Sequence, residues 1–154
     1  MMWRPFGRRK RRRMTDIRSS IDEYGWAIQH VLRDDDHVPI SYSVGLTNFG
    51  HPELVITGMG AEYAQGFLNP MGEDVRSGTR FRGGTWVSDL TDCDLLLIDV
   101  DDAADLTAVE QLFGHVEALQ LVWCDNAGRF PWHAGFNNPP EAQPLLGPLP
   151  EGIV

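Results

Sequence analysis

The stretch from Ile40 to Thr57 constrains the fold more than any other. In ISYSVGL, Ile40, Tyr42, Val44 and Leu46 alternate with Ser41, Ser43 and Gly45. That period of two suits a strand with one buried face. ELVIT follows after a loop of about six residues and is expected to return antiparallel beside it. The loop carries His51, Pro52 and Glu53, so the same unit that organises a sheet also presents the most chemically suggestive step in the chain.

Around this unit the other elements can be read in order. Ile17, Ile21 and Tyr24 recur at helical spacing between Thr15 as cap and Gly25 as stop, which predicts a short helix over 15–24. WAIQHVL reads as a strand, and the acidic Asp34–His37 run with Pro39 turns the chain out of it. GAEYAQGFLNPMGEDVRSG is mixed: Ala61, Ala64, Gln65 and Leu68 suit a helix, but Pro70 and Gly72 are expected to break or kink it. TWVSDL and DLLLIDV are strand candidates. The second lacks alternation across Leu95–Ile98 and so reads as buried on both faces. Leu106, Val109, Leu112 and Phe113 mark a helix closed by Gly114. EALQLVW is a last strand, followed by a turn over 125–128 and a Pro-rich coil on the surface.

Strands fall in neighbouring groups, without a repeated strand–helix alternation. The fold class expected is α+β: a mostly antiparallel sheet with two or three helices packed against one face. Residues 1–13 read as a non-structural basic arm, 14–147 as one domain and 148–154 as a loose end.

Charge narrows the partners. Residues 1–13 hold seven of the 13 Lys and Arg, so the rest of the chain carries 6 − 22 = −16. Such a body repels phosphates, which argues against nucleic acid as its main partner. No apolar run approaches the roughly 18 residues of a spanning helix, so no membrane is expected. Cys93 and Cys124 are too distant for a C-x-x-C pair. One disulfide between them stays open, but small secreted domains carry more. With Asp92, Asp94 and Asp125 beside them, both read as unreactive packing residues of a cytoplasmic protein.

Candidate chemistry is sparse. The five histidines are scattered, and no metal is expected. Asp99, Asp101, Asp105 and Glu110 have the spacing of a calcium loop, but Ala103 and Ala104 replace a ligand and the turn glycine. Arg80–Gly84 lacks the spacing of a phosphate loop and reads as a hairpin bend. No cofactor is implied. His51 and Glu53 remain as a candidate acid–base pair, with Glu53 orienting His51.

Several blocks together carry a resemblance: YGWAIQHV, YSVGLTNFGHPELVITGM, FLNPMGEDVRSG, RGGTWVSDL and ALQLVWCDNAGRFPWHAGF with QPLLG. They resemble the bacterial family of domain of unknown function 4262, over about Ile17 to Gly147. The resemblance implies no reaction. Cys124 stands where a small residue or proline is common in that family, which speaks against a cysteine mechanism. The matching residues Tyr42, Thr47, Gln120, Asp125, Arg129 and Trp132, with Gln143, would line one cleft if the strands over 40–46 and 117–124 are close. Arg129 and Trp132 would suit an acidic or flat ligand.

The function expected is a small-ligand or peptide binding or accessory protein. Two alternatives are a hydrolase or transferase using His51 as general acid or base, and an interaction module of inhibitor or immunity type. The sequence leaves the oligomeric state open.

Overall fold

In the computed structural model, Ile40–Val44 pairs antiparallel with Glu53–Thr57, with Tyr42 opposite Val55. The structure describes residues 5–31, 38–136 and 140–153, and the turn expected at Asp34–His37 lies outside them. The strands are β1 (Ala27–Val31), β2 (Ile40–Val44), β3 (Glu53–Thr57), β4 (Trp86–Val87), β5 (Leu95–Asp99) and β6 (Ala118–Val122). They form one six-stranded sheet in the order β1-β2-β3-β6-β5-β4. Every neighbouring pair is antiparallel except β3 and β6, which run parallel. With helices α1 (Pro5–Tyr24), α2 (Ala61–Arg76) and α3 (Thr107–Phe113), the chain is a single α+β domain.

The helices cover both faces, not one. Ala64, Leu68, Met71 and Val75 of α2 pack with Leu54, Ile56, Leu95, Leu97, Leu119 and Leu121. On the other face, Ile17 of α1 and Val109 of α3 pack with Ile40, Tyr42, Val44 and Val55. β5 is therefore buried on both sides, as its unbroken apolar run implies, with Leu96 and Ile98 turned away from Leu95 and Leu97. Each such side chain contributes about 1.5–3 kcal/mol on burial. Alternation in β2 has a different outcome from the expected one: Ser41 and Ser43 are as buried as the apolar residues. Burial of a hydroxyl is tolerable only with a partner. Ser41 lies 2.7 Å from His30 Nδ1, and Ser43 bonds Glu53.

Three local expectations change. α1 begins at Pro5, not at Thr15; Arg and Lys are good helix formers, so the basic run extends the helix. α2 continues through Pro70 and Gly72. Gly72 serves contact: a Cβ there would lie 2.7 Å from the Trp26 indole, which packs flush against the helix backbone. Beyond Gly147, where a loose end is expected, Leu149 and Ile153 pack beside Leu96, Ile98, Val122 and Phe130. Arg82–Thr85 bends onto β5, with Gly84 N donating to Leu97 O at 2.7 Å. Among the described residues no helix is long and apolar enough to cross a membrane.

Candidate functional site

Glu53 sits at the start of β3, fully buried, where a lone carboxylate would be very costly. The preceding turn supplies what it needs. Leu46–Phe49 winds into a single 3-10 turn after Gly45, whose φ of 127° favours glycine. This winding aims three consecutive amides at one point. Leu46 N donates to Oε1, and Gly45 N and Thr47 N donate to Oε2, each at 3.0 Å. Ser43 Oγ adds a bond to Oε1 at 2.8 Å, and Thr47 Oγ1 one to Oε2 at 2.6 Å. Five donors saturate both oxygens. Glu53 is the internal anion of a backbone nest, and it holds the strand–loop–strand unit shut.

His51 does not bond Glu53. Its Nδ1 donates to Pro52 O at 2.7 Å, and its Nε2 accepts the Phe81 amide at 2.9 Å. The ring is buried edge-on against Phe81 at a centroid separation of 5.9 Å. Both nitrogens hold backbone, so neither is free to move a substrate proton. The expected dyad is a pair of independent fasteners.

The expected cleft does not form, because β3 lies between β2 and β6. Tyr42 is 1% exposed and its hydroxyl accepts the Ala108 amide; burial raises its phenol above the usual range. Gln120 donates to Thr57 Oγ1 and Pro144 O and accepts Leu146 N, clamping the C-terminal coil onto the sheet. Thr47 serves the Glu53 nest. Arg129 donates to Gly135 O, and Trp132 stacks on Phe130 at 4.9 Å, so neither forms the expected ligand wall. Asp125 lines a cavity. Its Oδ1 accepts Ala127 N and Arg129 N, both at 2.9 Å, which makes the loop after β6 rigid.

That cavity, of about 380 Å³, lies at the carboxyl ends of β3 and β6. Met59, Phe67, Leu95 and Trp123 form its apolar walls, and Asp92, Asp125, Asn126 and Thr91 its polar rim. Its lining holds Asp92 and Asp125 and no Lys, Arg or His. Trp123 is held from several directions: its indole donates to Thr57 O, and its backbone exchanges two bonds with the Gln143 amide. A disulfide joins Cys93 to Cys124 across the cavity wall, in place of the two separate thiols expected. It ties the loop before β5 to the end of β6, which side-by-side thiols could not do.

The family model described as Domain of unknown function (DUF4262) matches residues 20–137, well over half of the chain. The chain belongs to this family. No curated protein and no solved structure matches it. The DUF4262 match takes in the Glu53 nest, His51 and the whole cavity lining. Sequence reasoning missed Met59, Phe67 and Trp123 because apolar residues just past a strand, or within a helix as Phe67 is, look like core. No sequence signal pointed to them, because periodicity does not reveal the parallel β3–β6 pairing at whose end the cavity forms.

Proposed function

We propose that this domain binds a small molecule at the carboxyl ends of β3 and β6. The observation that carries the reading is the cavity itself. Its volume of about 380 Å³ falls within the usual range of ligand sites, about 300–1,000 Å³. Carboxyl ends of parallel strands, where chain connections diverge, are recurrent ligand positions. The ligand class follows from the lining: a compact apolar body to lie on Trp123 and Phe67, bearing an amine or amidine directed to Asp92 and Asp125. Saturation of both His51 nitrogens favours binding over acid–base catalysis.

The test is a thermal-shift panel of small aromatic and aliphatic amines with their carboxylate counterparts, read on the parent and on Phe67→Trp, which fills the cavity. Amines raise the melting temperature of the parent alone. Equal shifts in both proteins would place the ligand elsewhere, and a panel in which only carboxylates bind would overturn the charge argument.

Disulfides are rare where cellular thiols keep cysteines reduced, so a location in the bacterial cytoplasm requires the Cys93–Cys124 pair to be reduced in the cell. Alkylation trapping in intact cells followed by mass spectrometry should find the reduced pair; complete oxidation would argue for another compartment.

A further inference from the structure

The two ends of the sheet are finished differently. β4 is an edge of only two residues, whereas β1 is a regular five-residue edge, AIQHV, without Pro or Lys. Proteins usually blunt a long edge strand, because its outward N–H and C=O groups invite pairing. Among the described residues, the backbone of Ala27–Val31 pairs only with β2. The edge is also recessed. A hollow of about 590 Å³ opens beside Trp26–Ile28, between Tyr24 of α1 and Asn69 of α2. A second, of about 520 Å³, continues it along Gln29 and His30, and the two share Ser20, Ala27 and Ile28.

Helix α1 runs antiparallel to β1 along this groove, with Arg12 and Arg13 beside His30 and Tyr24 beside Trp26. Its exposed charges are segregated. Arg12 and Arg13 stand at one end of the helix, Asp22 and Glu23 at the other, and the oppositely charged Asp16 and Arg18 between them. Glu73, which also borders the Tyr24 end, is already paired with Arg76 at 2.6 Å and adds little. A copy of the same surface turned end for end would set each basic end against an acidic one. It would also cover Tyr24, which is 55% exposed.

We propose that β1 pairs antiparallel with β1 of a second copy of this chain, joining two sheets across a two-fold axis with the two α1 helices side by side and antiparallel. Main-chain bonds supply the attraction, and the reversed charges of α1 fix the direction. A two-fold axis makes every contact twice, so small charge effects double.

Light scattering after size exclusion on the full chain should give twice the 17.3 kDa chain mass, with dissociation favoured by salt. Ile28→Pro removes an outward edge amide, since the alternate residues Ala27, Gln29 and Val31 are the ones that face β2, and yields monomer. Because that change also strains β1, a second variant is read beside it. Arg12→Glu with Arg13→Glu weakens the dimer about tenfold, and adding Asp22→Arg with Glu23→Arg restores it. A monomer at every concentration would overturn the proposal. So would a dimer indifferent to the charge reversals, which would put the interface on another surface.

Discussion

The Ser43 hydroxyl donates to Glu53 at 2.8 Å while accepting the Leu54 amide at 2.9 Å, so one buried side chain links a carboxylate to the backbone of the neighbouring strand. Glu53→Gln presents an NH₂ group to donors that need an acceptor, and should lower stability by about 2–4 kcal/mol. Ser43→Ala leaves the Leu54 amide without a partner, at a cost of about 1–3 kcal/mol. Urea unfolding measures both. A Glu53→Gln protein as stable as the parent would show that the nest does not require a carboxylate.

His51 fastens the loop at Phe81 to the entry of β3. His51→Ala should cost about 1–3 kcal/mol in denaturant unfolding and leave amine binding at the Trp123 cavity unchanged. The Phe81 amide should exchange faster with deuterium. Loss of ligand response in a protein that still folds would restore His51 to the site.

The Cys93–Cys124 bond closes a loop with a sequence separation of 31. Removing it by Cys93→Ser with Cys124→Ser should destabilise the fold by about 3–4 kcal/mol on the chain-entropy estimate. Thermal unfolding with and without a thiol reductant checks this. Identical transitions in both conditions would mean that the bond contributes nothing to stability.

Tyr42 gives the fold a dependence on alkaline pH. Burial raises its phenol above the ordinary 10.0, the Ala108 and Thr107 hydrogen bonds opposing this in part. The folded state therefore prefers the neutral phenol. Its contribution is complete below pH 10.0, the unfolded value, and is lost as pH rises through the higher folded value. Unfolding midpoints should fall in that window for the parent and less steeply for Tyr42→Phe. Equal slopes would assign the alkaline transition to another group.

Several of these features were legible in the residues themselves. Alternation over Ile40–Leu46 announced β2, and the uninterrupted Leu95–Ile98 run announced a strand buried on both faces. Others were not. Ser41 and Ser43 look solvent-facing until α2 is known to cover them. His51 and Glu53 look like a catalytic pair because proximity in sequence says nothing about where a ring nitrogen or a carboxylate points. Pro70 reads as a helix end, yet α2 continues because packing of Leu68, Met71 and Val75 on the sheet outweighs the lost backbone bond.

Local patterning by itself determined the elements, the α+β class and the family blocks, because periodicity and turn chemistry act over a few residues. Tertiary structure alone decided that β3 lies between β2 and β6, that the two cysteines meet, and that the cavity forms where the parallel pair ends. Those outcomes depend on contacts between distant segments. They are set by which buried polar groups find partners and which apolar faces find cover, and neither is written in any short stretch of the chain.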